Sequence, residues 1–198
     1  MLSATTHALK EWAIALRALE SGDTILLLRK GGIREAGGRF QVRYQQVVLY
    51  PTYEHQQPHL LKTGYPVTSV TSGWHSNTVM IASWATITHL FCVSDESVVH
   101  QLLPYHIWNE RFVTERFQWK PRQPLSVLLL RTYQLPQPVE IPYRQEYGGC
   151  QSWIDLAKPV SLAGSTPVLA EKAYLKHVNA IAEIVANSSE VMPKPGTE

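Results

Sequence analysis

The chain has 198 residues, 44% hydrophobic and 17% charged, with 11 glycines, 13 prolines and a formal net charge of +2. That composition supports a self-sufficient core in a single domain and excludes a disordered chain, a coiled coil and a collagen. The only cysteines, Cys92 and Cys150, form neither a disulfide framework nor a zinc-ligand pattern.

Leu9, Trp12, Ala13, Leu16 and Leu19 recur at helical spacing, which predicts a first helix from His7 to Glu20, stopped by Ser21-Gly22. The run Thr24–Leu28 reads as a buried strand. Two Gly-Gly pairs make residues 29–39 a loop, and the alternation of Phe40–Tyr44 predicts a half-buried strand. A continuous apolar strand follows at Val47–Tyr50, ended by Pro51. Thr52–Lys62 has room for one short helical turn, limited by Pro58. Thr63–Asn77 is loop-like and the best internal boundary.

Val79–Val93 is β-rich, with Cys92 expected as a small buried side chain. Asp95–Leu103 reads as a helix capped by Ser94. Leu125–Leu135 is the strongest strand, followed by a proline-bracketed edge segment around Val139–Ile141. A last helix is predicted over Thr166–Ala186. The fold class that follows is α+β: one domain over residues 1–187, with a curved, mainly antiparallel sheet or partial β-barrel packed by the N-terminal and C-terminal helices. Residues 188–198 are expected to be a disordered tail. No signal peptide or membrane-length apolar run is visible, so a cytoplasmic protein without a membrane span is expected.

Charge is more informative locally than in total. Residues 29–43 carry Arg29, Lys30, Arg34, Arg39 and Arg43 against Glu35 alone. Residues 111–122 carry Arg111, Arg116, Lys120 and Arg122 against Glu115, interleaved with Phe112, Phe117 and Trp119. Cations that track phosphates, combined with aromatic faces for bases, are what single-stranded nucleic-acid sites use. Gly31 and Gly32 would let backbone amides approach a phosphate, and Tyr50, Tyr53 or Trp119 would stack on bases. The leading expectation is therefore a module that binds RNA or DNA. Its opposing reading makes the aromatics core and the cations a solvated face.

Catalytic chemistry finds less support. Only three aspartates exist, and there is no GxSxG, GxGxxG or Walker A loop. A hydrolase or nuclease-like alternative would use Glu54, His55, His59 and Cys150, converging with Glu11 or Glu35. His55 and His59 have i, i+4 spacing, but Pro58 disfavours a helix there, and no metal site or cofactor is expected. A protein-interaction subunit, needing an exposed apolar patch, is the third possibility.

Lys30-Gly31-Gly32-Ile33-Arg34-Glu35 combines with Leu49-Tyr50-Pro51-Thr52-Tyr53-Glu54-His55-Gln56, Leu128-Leu129-Leu130-Arg131 and Gly149-Cys150-Gln151-Ser152-Trp153. In that combination, over residues 6–185, the chain resembles an uncharacterised prokaryotic family, domain of unknown function 1802. The resemblance implies a whole single-domain protein and brings no activity, substrate or cofactor. It also implies a His and an acidic residue where Val42-Arg43-Tyr44-Gln45-Gln46 stands, a departure that weakens a catalytic reading of that segment. A looser similarity, in a Ser-Gly turn followed by a strand ending in Arg-Lys, is to RNA-binding modules of the PUA and ASCH type.

Overall fold

The computed structural model describes residues 3–31, 40–71 and 73–187. These residues form an α+β domain with an open mixed sheet and four α-helices. The strands are β1 (Ala4–Trp12), β2 (Leu26–Arg29), β3 (Gln46–Thr52), β4 (Thr78–Val93), β5 (Leu125–Pro142), β6 (Trp153–Ser161) and β7 (Thr166–Pro167). The helices are α1 (Ala13–Ser21), α2 (Glu96–Gln101), α3 (Glu110–Gln118) and α4 (Glu171–Asn187). The sheet order is β2-β5-β4-β3-β1-β6, with β7 on β5; β1 and β3 run parallel and the other pairs antiparallel.

The first expected helix is half strand. β1 takes Ala4–Trp12 and the helix begins only at Ala13. β1 lies between β3 and β6, with Leu9 in one hydrophobic cluster and Ala8 in the other. A strand covered on both faces loses its polar alternation, so its apolar spacing imitates a helix. α1 does stop where expected. Gly22 adopts φ +79°, and its amide reaches back to the Ala18 and Leu19 carbonyls. A Cβ there would stand 2.8 Å from Leu169 Cδ2, so both conformation and space require glycine.

Phe40–Tyr44 alternates in burial but pairs with no strand. Its anchors are side chains: Trp153 Nε1 donates to the Gln41 carbonyl at 3.1 Å, and Tyr44 stacks on His7 with centroids 3.6 Å apart. Pro51 does not end β3, which runs to Thr52 in register with Trp12. The proline-rich segment after Leu135 is no separate edge. It continues β5 against β4, with Pro136 and Pro138 in the irregular stretch between the Ser83–Gln134 and Ile81–Val139 pairs. A ladder already broken there has no need of a proline amide. α2 is capped by Asp95 rather than Ser94, its carboxylate accepting from Ser97 N at 2.8 Å. Cys92, expected in the core, is exposed. The tail at 188–198 lies outside the described residues.

The sheet curls without closing. β2 and β1 stand first and fifth in the order, yet the Arg29 guanidinium donates to the Lys10 carbonyl and lies 3.2 Å from Glu11. The curl encloses the larger core, which includes Leu26, Leu49, Leu128, Trp108 and Phe112. Its outer face carries a second core around Tyr50, Trp84, Tyr147 and Ile154. One end of the curl remains open. There the carboxyl ends of β1, β2 and β3 meet α3.

Candidate nucleic-acid interface

That open end holds a cleft of about 570 Å³. β1 contributes Lys10, Glu11 and Trp12, β3 contributes Thr52, and the turn after it adds Glu54 and His55. β2 runs into it with Arg29 and Lys30. The α3 side adds Trp108, Phe112, Arg116 and Trp119, and residues Gly149–Ser152 form the remaining wall. The carboxyl ends of the parallel pair β1 and β3 lie side by side, the place where ligands enter open α/β sheets.

α3 has no counterpart among the elements predicted from periodicity, and its anchoring explains how Arg116 arrives. Asn109 caps the helix by accepting from Phe112 N at 3.1 Å. The same side chain donates to the carbonyls of His59 at 2.8 Å and Leu61 at 3.1 Å, tying α3 to the segment after β3. Phe112 and Val113 face the core while Arg116 projects across the cleft.

The two cationic stretches meet here. Lys30 Nζ donates to the Arg116 carbonyl at 2.6 Å, and Lys120 Nζ donates to the Gly31 carbonyl at 2.8 Å. The Arg116 guanidinium lies 4.9 Å from the Phe112 ring centre and 5.9 Å from that of Trp119, and Lys120 Nζ is 4.6 Å from the latter. Arg116 makes no hydrogen bond from its guanidinium to another described residue. Burial lowers the Arg116 pKa, with Glu11 opposing and Arg29 reinforcing the shift. Burial, then the neighbouring Arg116 and Lys120 charges, lower that of Lys30. Four cations, Lys10, Arg29, Lys30 and Arg116, face two carboxylates, Glu11 and Glu54. The surplus positive charge is only partly solvated, a state an anion would relieve.

Arg29 itself is not available for a phosphate. Glu11 faces it across 3.2 Å, both side chains being largely buried, and its ring contact is to Phe40 at 5.9 Å. Tyr50 is 2% exposed and edge-on to Tyr147, so it cannot stack on a base from the cleft. Arg43 is exposed, away from the cleft lining. Gly31 is buried and turns its carbonyl to Lys120, whereas Gly32, Arg34 and Arg39 lie outside the described residues. Tyr53 lines a neighbouring cavity, with its ring perpendicular to Trp74.

Of the catalytic candidates, Glu54, His55 and Cys150 reach the cleft together with Glu11, and His59 does not. His59 is exposed and gives only its carbonyl, to Asn109. His55 holds φ +60°, a left-handed conformation that costs a non-glycine residue energy and turns the chain back toward β1. No cluster of three His, Cys, Asp or Glu side chains suited to a metal occurs among the described residues.

Lys10 is the residue that reading His7–Glu20 as a helix conceals. It is buried, with Nζ donating to the carbonyls of Tyr147 at 2.9 Å and Gly149 at 3.0 Å. Burial lowers its pKa against the opposing pull of Glu54 and Cys150. Its signal in the sequence is the adjacent charges Lys10-Glu11 between Leu9 and Trp12-Ala13-Ile14. Such a pair within an apolar run marks buried, partnered charge.

A model of the domain of unknown function DUF1802 matches residues 8–180. The chain belongs to this family. No curated protein matches it. Among solved structures, it is similar to the ASCH protein of Zymomonas mobilis, with a TM-score of 0.44 and 13% identity over 87% of this chain and 93% of that one. A tyrosine-to-phenylalanine variant of that protein gives 0.46 and 13%, over 87% and 96% of the two chains. A serine-to-alanine variant gives 0.44 and 12%, over 91% and 99%. These similarities carry no residue roles over to the DUF1802 chain. No helix of the described residues is long and apolar enough to cross a membrane.

Proposed function

We propose that this DUF1802 protein binds single-stranded nucleic acid in the cleft at the open end of its curled sheet. The observation that carries the reading is the meeting of the two cationic stretches, Lys30 on the Arg116 carbonyl and Lys120 on that of Gly31, with Arg116 and Lys120 over the Trp119 indole. An ammonium has three donors. Among the described residues, Lys120 donates to one carbonyl, Gly31, and Lys30 to two, Arg116 and Phe117. Against these partners each ammonium has a further donor for a phosphate oxygen, and the Arg116 fork, unbonded to other described residues, suits bidentate contact. Trp119, 41% exposed, is the adjacent surface for a base.

Binding of a fluorescent single-stranded RNA, titrated between 50 and 200 mM salt, tests this reading. Affinity should fall steeply, at a slope of about −0.7 per phosphate engaged. Salt-independent affinity, or none at 50 mM, rejects it.

A second reading rests on a different observation in the same cleft. Lys10, Glu54, His55 and Cys150 line the same cleft, the grouping a hydrolase or nuclease-like enzyme would need. RNA that stays intact on prolonged incubation with a molar excess of protein rejects it and leaves the binding reading standing.

A further inference from the structure

A second cavity, of about 470 Å³, adjoins the cationic cleft and shares Lys10, Thr52 and Glu54 with it. The two are lobes of one groove divided by those side chains. Their characters differ. The first is cationic. The second is edged by Tyr53, Trp74, His75 and Tyr143, with Met80 at its margin, and its cations are the exposed Arg17 and the shared Lys10.

The rings of the second lobe have open faces. Trp74 is 43% exposed and perpendicular to Tyr53 at 6.0 Å, a contact that leaves the indole with free surface. His75 stacks on Tyr143 at 3.8 Å, which uses one face of each ring. Six large hydrophobic side chains are exposed among the described residues, and three, Trp74, Met80 and Trp119, line the two lobes. Exposed aromatic surface gathered at a groove is binding surface, because water solvates it poorly.

The partition also positions this lobe. Glu54 Oε1 accepts from the Gly73 amide at 2.9 Å, and Gly73 holds φ +78°. The turn before Trp74 is thereby fastened to the wall of the cationic lobe. The Trp74 amide also donates to the Thr71 carbonyl at 3.0 Å.

We infer that the second lobe is a base subsite: it takes one unpaired nucleobase, stacked on Trp74 and His75, from the same strand whose phosphates meet Lys30, Arg116 and Lys120. The inference rests on the proposed function and adds a ligand class and a direction. The strand passes over the Lys10–Thr52–Glu54 partition, with a phosphate on one side and a base on the other. Stacking tolerates any base, so the subsite selects for single strands rather than for sequence.

The test compares a hexauridylate with a hexamer of abasic ribose phosphates on wild type, Trp74→Ala and Trp74→Phe. Trp74→Ala should weaken hexauridylate binding about 10-fold and leave the abasic hexamer unchanged, and Trp74→Phe should bind hexauridylate within about 2-fold of wild type. If Trp74→Ala matches wild type on hexauridylate, or weakens both ligands equally, the subsite is overturned while cleft binding stands. If wild type binds neither hexamer at 50 mM salt, the parent reading falls and takes the subsite with it.

Discussion

Lys30 Nζ donates to the Arg116 carbonyl across 2.6 Å, joining residues 86 positions apart at the mouth of the cleft. The cations at residues 29–30 and at 116–120 therefore form one local field rather than two scattered charges. Replacing Arg116 tests that field directly. Arg116→Ala should lower affinity for a single-stranded oligonucleotide several-fold at 100 mM salt. It should also make the salt slope shallower by about 0.7, the share of the one phosphate that Arg116 engages. An unchanged slope would place Arg116 outside the interface.

Cys150 lines the cleft while Cys92 lies on β4, and both thiols are exposed. The pair supplies an internal control for ligand position. A saturating oligonucleotide should slow alkylation of Cys150 by iodoacetamide and leave Cys92 unaffected. Peptide mass mapping after timed quenching reads the two sites separately. Equal rates at Cys150 with and without ligand would move the interface elsewhere.

The Glu11–Arg29 pair is mostly buried, with side-chain exposures of 8% and 18%. Removing one member of a buried pair strands the other charge, at a cost of about 3 kcal/mol. Glu11→Ala should destabilise the fold by that order in urea unfolding. The double change Glu11→Leu with Arg29→Met should cost less than Glu11→Ala alone, since no uncompensated charge remains. Additive losses would contradict this account.

His106 is buried beside Trp108, and burial, followed by the Lys62 charge, lowers its pKa to about 4. The backbone of Trp108 and Val99 beside the ring opposes the shift, but neither ring nitrogen makes an aligned hydrogen bond. The folded protein thus holds a neutral imidazole, whereas the unfolded chain protonates near pH 6.5. A depressed folded pKa contributes stability that is full above 6.5 and lost as pH falls toward 4, amounting to about 3 kcal/mol in all. Urea midpoints between pH 7 and 4 should therefore decline, and His106→Gln should flatten that decline. A wild-type protein equally stable at pH 7 and 4 would rule the account out.

Much of this architecture is readable from residue patterns. β4 and β5 announce themselves through long β-branched and aliphatic runs, and Gly22 marks the end of α1. The misreadings share one cause, namely tertiary surroundings that rewrite local periodicity. β1 looks helical because neighbours cover both its faces, and Phe40–Tyr44 looks like a strand because alternate side chains pack without any ladder. The cationic stretches stand out in composition, but their meeting at Lys30 and Arg116 depends on α3, whose cap, Asn109, carries no periodic signal of its own. The partnering of Arg29 with Glu11 is invisible while His7–Glu20 is read as a single helix. The aromatic lobe has no linear signature at all, since Tyr53, Trp74 and Tyr143 converge from three separate segments.

The gap between β1 and β2 is bridged by one guanidinium, not by a ladder of amides. A seam sewn by side chains has no repeat distance imposed on it, so its aperture follows whichever residues occupy positions 11 and 29. Substitutions at those two positions would reset the width of the opening while leaving the aliphatic interior untouched.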